Sequence, residues 1–236
     1  IKMLPLSFSE FLYFHDFEIK ETNSALGGTR RQLFDKKGER YDLREAFDAY
    51  MRFGGMPGIA DIGHTLMNEG LLAGGNRKGT PSAHTVQAYI DALLESYFFY
   101  EIKRFDIKGK EYLRTLGKYY LVDIGLRNYL LGFRNRDSGH AIENVVYFEL
   151  LRRGYDVAIG KIGNQEVDFV ATTADEKIYL QVTESMRSED VRRRELSPLQ
   201  KIRDNYEKIV LSLEPGLDPS YEGIKSLNLL DWLLDG

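Results

Sequence analysis

Three short stretches carry side chains that could hold a cation or act on a phosphate. Glu143 lies in an apolar run that reads as a helix. Asp168 sits in Glu166-Val167-Asp168-Phe169-Val170, and Gln181 sits in Leu180-Gln181-Val182-Thr183. On an extended strand, Glu166, Asp168 and Val170 point one way, and Val167 and Phe169 the other. Gln181 and Thr183 likewise share a face. An acid in the middle of one central strand, opposite an oxygen donor on the next, can hold a hard cation such as Mg²⁺. Hydrolysis of a phosphodiester uses such a cation to position water and take up charge. A lysine near the attacking water usually completes the set. All of this requires neighbouring strands to aim residues 168 and 181 into a common polar notch.

A second group is suited to contact with phosphates. Between Arg77 and Arg136 there are 11 Lys/Arg against 6 Asp/Glu, whereas Ala141–Gly236 has 12 against 18. A chain of net charge −4 can therefore carry a local basic face. Within the basic segment, Ser82, His84, Thr85, Gln87 and Asp91 form the polar side of a helix. Its apolar side is Val86, Tyr89, Ile90, Leu93 and Leu94. Lys103, Arg104, Lys108 and Lys110 follow around a turn. Helix, strand, basic turn, strand and helix make a winged-helix pattern. His84, Thr85 and Gln87 would then reach base edges or phosphates of double-stranded DNA, with the four cations on its backbone. The same module could instead bind a protein partner. Arg187 and Arg192-Arg193-Arg194 form another basic run, read as a solvated helix face.

The elements that must position these residues follow from periodicity and turn chemistry. Ile1–Leu6 reads as the end of a strand. Ser7-Phe8-Ser9-Glu10 fits a capping box opening a helix to about His15. Glu18–Arg40 is polar and reads as a loop, and Asp42–Arg52 as a helix stopped by Gly54-Gly55. Phe98–Phe105 reads as one strand, with Leu113–Leu116 and Tyr119–Val122 returning. A helix is expected over Gly125–Leu131 and another over Gly139–Arg153. Strands at Asp156–Ile159, Glu166–Ala171 and Ile178–Thr183 come next, then a helix over Pro198–Tyr206. A strand at Lys208–Leu213, one near Gly223–Leu227 and a helix at Leu229–Leu234 complete the order. That order, αβββαβ(β)α, predicts a mixed sheet flanked by helices.

Glu143, the Glu166-Val167-Asp168-Phe169 strand and Gln181-Val182-Thr183 together resemble the core of the PD-(D/E)XK nuclease-like fold. The resemblance implies that Asp168 and Gln181 match its metal ligands and Glu143 its helix-borne acid. Thr183 stands where that family has its lysine, which implies a retained fold with an altered site; Lys177 or Lys201 could supply the charge from elsewhere. Further stretches widen the likeness: Leu4-Pro5-Leu6-Ser7-Phe8-Ser9-Glu10-Phe11-Leu12, Phe53-Gly54-Gly55-Met56-Pro57-Gly58, Tyr119-Tyr120-Leu121-Val122-Asp123-Ile124-Gly125-Leu126-Arg127 and Glu143-Asn144-Val145-Val146-Tyr147-Phe148-Glu149-Leu150. As a set they resemble the C-terminal half of a prokaryotic AAA-type P-loop ATPase family, which joins an ATPase domain to a winged helix and a nuclease-like domain of unknown function. The resemblance implies a multi-domain α+β chain. Residues 1–60 would be the end of the ATPase domain and a helical connector, 77–136 a winged helix, and 139–236 a nuclease-like α/β domain with a mixed central sheet. ATP would bind only through a domain preceding Ile1, and the 58–77 stretch is shorter than the family's helical segment.

Composition bounds the alternatives. The chain has 236 residues, 43% hydrophobic and 29% charged, and no cysteine. Disulfides, thiolate zinc sites, iron–sulfur clusters and a cysteine nucleophile are excluded. No apolar run suggests a membrane span, so a cytoplasmic protein without a membrane partner is expected. The start at Ile1 reads as a fragment. Gly74-Gly75-Asn76-Arg77-Lys78-Gly79-Thr80 only imitates a phosphate loop, because Lys78 precedes the second glycine of the pattern. The reading is therefore a non-hydrolytic portion that binds DNA or protein. Metal-dependent cleavage through Glu143, Asp168, Gln181 and Thr183, with Mg²⁺ on Asp168 and Gln181, is the alternative.

Overall fold

Residues 4–23, 29–56, 83–115, 117–132 and 138–235 are described by the structure, a computed structural model. The chain folds as mixed α+β around an eight-stranded mixed sheet. Helix α1 (Phe8–Phe14) opens on the expected capping box: Ser7 Oγ accepts from the Glu10 amide at 3.1 Å, and the Ser7 amide donates to Glu10 Oε2 at 2.7 Å. Leu4–Leu6, expected as a strand end, is irregular, with the Leu6 amide donating to Gly55 O.

The expected loop at Glu18–Arg40 is a hairpin. Strands β1 (Phe17–Asn23), β2 (Thr29–Asp35) and β3 (Arg40–Tyr41) form a small antiparallel sheet. Ile19 pairs with Leu33, whose side chain is fully buried. Two or three apolar residues suffice to seat this hairpin, which is why a polar stretch hid it. Asp42 then caps helix α2 (Leu43–Phe53) through the Arg44 and Glu45 amides.

Helix α3 (Ala83–Glu95) leads into β4 (Phe99–Ile102). The single strand expected over Phe98–Phe105 is in fact two. After Lys103 the chain enters β5 (Arg104–Asp106), turns, and runs back as β6 (Glu111–Tyr112). The return strand β7 (Lys118–Leu121) pairs antiparallel with β4, not with β5. β5 instead lies parallel to β8 at the edge of the large sheet. The basic turn is built on Asp106, which accepts from the Lys108 amide on Oδ1 and from the Lys110 amide on its carbonyl. Helix α4 (Ile124–Leu131) follows.

Helix α5 (Ser138–Arg152) covers one face of the large sheet. The sheet continues with β8 (Asp156–Ile162), β9 (Gln165–Thr172) and β10 (Lys177–Thr183), all antiparallel. Helix α6 (Glu189–Gln200) covers the other face. It is capped by Ser188, so the helix expected over Pro198–Tyr206 starts nine residues early, ends at Gln200, and has Pro198 in its last turn. Strand β11 (Glu207–Ser212) lies parallel to β10, and β13 (Ile224–Asn228) parallel to β11, with β12 (Ser220–Tyr221) at the edge. Helix α7 (Leu229–Leu234) ends the described chain. Sheet order is β12-β13-β11-β10-β9-β8-β5-β6.

The core on the α5 face is continuous from the N-terminal helices to α7: Phe8, Phe11, Leu12 and Phe47 belong with Leu230, Trp232 and Leu233. Two glycine-bearing stretches meet inside it. Asp123 Oδ2 accepts from the Gly55 amide at 2.6 Å, and its other oxygen caps α4 through Leu126. A Cβ on Gly54 would lie 1.9 Å from Asp123 Oδ1, and one on Gly125 would lie 2.0 Å from the Phe53 carbonyl oxygen. Gly54 also has φ +81°, a region that a side chain disfavours. No helix among the described residues is long and apolar enough to cross a membrane.

Candidate functional site

The local geometry turns on a bulge. Ala158 pairs with Val170 and Gly160 with Val167, so Asp168 and Phe169 together face the single Ile159. A bulge re-aims side chains and breaks strict alternation. Val167 and Val170 therefore both pack on the α6 side, while Phe169 packs on the α5 side. This corrects the expectation that Asp168 and Val170 share one face. Gly160 belongs to this construction: a Cβ there would sit 2.9 Å from Ile107, Val167 and Val170 at once.

Asp168 is almost wholly buried, and its carboxylate accepts from the Val182 amide at 2.8 Å. Burial, followed by the nearby Glu143 carboxylate, pushes its carboxyl up to about 8; the Val182 amide and the Lys118 ammonium act in the opposite direction. Glu143 reaches the same region from α5. The Tyr120 hydroxyl donates to Glu143 Oε2 at 3.1 Å, and Lys118 Nζ lies 3.5 Å from the same oxygen. Burial and Glu143 raise the Tyr120 hydroxyl strongly, keeping it a proton donor. Asn144, next on α5, holds β7 in place by pairing with both backbone groups of Leu121, at 3.0 and 2.8 Å.

Gln181 does not join this set. Leu180 and Val182 belong to the α5-side core, which turns Gln181 to the α6 side. There its Nε2 donates to Glu195 at 3.2 Å, while Oε1 accepts from the Asp168 backbone amide at 3.4 Å. The expected common notch for the side chains of residues 168 and 181 is therefore absent. The carboxylate and the amide leave from opposite faces, and the contact is with the backbone of Asp168. Thr183 donates its hydroxyl to the Ser185 carbonyl at 3.2 Å.

The substitute lysine is also not where it was sought. Lys177 pairs with Thr172 at the far end of β10, its ammonium over the rings of Phe105, Tyr179 and Tyr206. Lys201 is exposed at the end of α6. Lys118 from β7 brings its ammonium to the acids instead. Sequence reasoning missed it because it precedes Asp168 by fifty positions and arrives through tertiary packing. The one available signal was its place two residues before Tyr120.

Lys118 also lies 3.9 Å from Glu166 Oε2. Arg104 Nε contacts Glu166 Oε1 at 3.0 Å, and Lys161 Nζ lies 3.9 Å from that oxygen. Three cations from β5, β7 and β8 thus converge on one carboxylate. Of the other expected nucleic-acid contacts, Lys103, Lys108 and Lys110 are exposed on or before the basic turn. His84 is exposed, Gln87 bonds Asp91 at 2.8 Å, and the side chain of Thr85 lies outside the described residues, as does the 74–80 stretch. Arg193 and Arg194 are themselves exposed and pair with Glu189 and with Glu195, the latter turned towards Gln181.

A divalent cation fits this donor set poorly. The Asp168 and Gln181 side chains do not converge, Asp168 Oδ2 and Gln181 Oε1 already accept backbone N–H groups, and an ammonium lies beside Glu143. Among the described residues no group of three or more acids and histidines is arranged to hold a metal.

The family described as "Domain of unknown function (DUF8612)" matches residues 63–137. An "Uncharacterized protein" of Haemophilus influenzae is 40% identical over 153 residues, covering 65% of this chain and 38% of that protein. "Uncharacterized protein MJ1544" of Methanocaldococcus jannaschii is 24% identical over 221 residues, covering 72% of this chain and 46% of that protein. The chain spans less than half the length of these curated relatives. The crystal structure of protein VC1899 from Vibrio cholerae aligns over 98% of this chain and 59% of its own, at 12% identity and a TM-score of 0.30, which carries no argument about fold.

Proposed function

We propose that this chain is the C-terminal, non-hydrolytic portion of a cytoplasmic AAA-type ATPase, and that it binds double-stranded DNA without cutting it. In this reading, residues 77–136 act as a winged helix and residues 139–236 as a nuclease-like domain whose site has changed its task. The observation that carries the reading is a fixed cation in place of a cation cage: the Lys118 ammonium stands beside Glu143, and Gln181 faces away. A cutting site needs oxygen donors that converge; a binding site needs charges that are already in place. The order α5-β8-β9-β10-α6-β11 around a mixed sheet supports the nuclease-like reading. The exposed turn bearing Lys108 and Lys110 supports contact with a phosphate backbone. The greater length of the relatives leaves sequence for an ATPase domain in a whole protein.

The test pairs binding with cleavage. The chain and an Asp168→Ala variant are incubated with linear duplex DNA and Mg²⁺ or Mn²⁺, then run on native and denaturing gels. The expected outcome is a shifted but uncut duplex for both proteins. Cleavage by the parent that disappears in the variant would overturn the reading in favour of a metal-dependent nuclease.

A further inference from the structure

We propose that Arg104, Lys118 and Lys161 form a single site for backbone phosphates of nucleic acid, with Glu166 as the internal anion that a phosphate displaces. The inference rests on the nucleic-acid reading above and deepens it by naming where the backbone is gripped. Glu166 is shared by three cations at 3.0 to 3.9 Å. One carboxylate has too little charge to neutralise three cations, and Glu143 takes up part of Lys118 only. Three cations thus face two carboxylates, and the cluster keeps a net positive charge.

The cluster is built rather than accidental. Register fixes it: Arg104 pairs with Ile159, and Lys161 with Glu166, so these side chains share the α5 face of adjoining strands. Lys118 comes from a different sheet and is held by the Asn144 clamp on Leu121. All four side chains are partly open, between 22% and 32% exposed, so an external anion can reach them. A phosphate oxygen accepts from guanidinium and ammonium groups as a carboxylate does, and it brings its own charge. Exchange of Glu166 for phosphate keeps each cation paired.

Affinity for a short DNA duplex, measured by fluorescence anisotropy across a salt series, tests the site. Glu166→Gln removes the competitor while preserving shape, and should bind several-fold more tightly than the parent. Lys161→Ala and Lys118→Ala should each bind more weakly and lower the salt slope by about one. Lys225→Ala, far along the sheet, should match the parent, and circular dichroism melts establish that each variant is folded. If the parent binds but Glu166→Gln and Lys161→Ala are indistinguishable from it, the cluster is not the grip and the DNA reading survives. If the parent fails to bind even at low salt, both fall together.

Discussion

Asp168 shows how burial can turn an acid into a neutral group. Burial and the neighbouring Glu143 push its carboxyl up to about 8 in the folded protein, against about 4 in an unfolded chain. The folded state therefore holds a proton that the unfolded state releases between those values. Stability from this group is full below pH 4 and is lost as pH rises through 8. Asp168→Asn keeps an oxygen for the Val182 amide and stays neutral at every pH. It should unfold at a higher urea concentration than the parent at pH 8, by on the order of a few kcal/mol, with the gap closing towards pH 4. A gap independent of pH would contradict this assignment. Glu143 and Asp168 were legible in the sequence as residue types on a helix and a strand. Lys118 was not, because no periodicity links β7 to the acids, and Gln181 was misjudged because alternation cannot foresee a bulge.

At the level of elements, most helices and the strands from Asp156 onward follow directly from apolar spacing and turn residues. The failures share a cause. β5 is held by β8, some fifty residues on, and the β1–β2 hairpin pairs locally but carries only a few apolar side chains into the core, so both have weak local patterns. The bulge depends on Gly160, which from sequence alone is one glycine among 22. The contact of α5 with β7 is pinned by Asn144 beside the Glu143 contacts to Tyr120 and Lys118. Asn144 is 5% exposed and satisfies both backbone groups of Leu121, substituting for a strand partner. Asn144→Ala leaves an N–H and a C=O unpaired and should cost about 2–3 kcal/mol in denaturant unfolding. A cost below about 0.5 kcal/mol would mean that apolar packing and the Glu143 contacts hold the two elements without Asn144.

Over the whole molecule, the segments that sequence composition separates are joined. Arg31 on the N-terminal hairpin donates to the Asp231 carbonyl at 2.7 Å and pairs with Asp235 near the C-terminus. Arg153 lies 4.0 Å over the Trp232 ring. β5, from the basic 77–136 segment, forms part of the large sheet and brings Arg104 to the acids of the following segment. Charge that looks segregated along the sequence, basic then acidic, is in space interleaved at one site. The salt dependence of duplex binding by the intact chain tests most directly the proposal that this arrangement grips phosphates. With three or more phosphates engaged, affinity should fall roughly 10- to 100-fold between about 50 and 200 mM salt. Binding that is absent at the lower salt, or unchanged across the range, would contradict it.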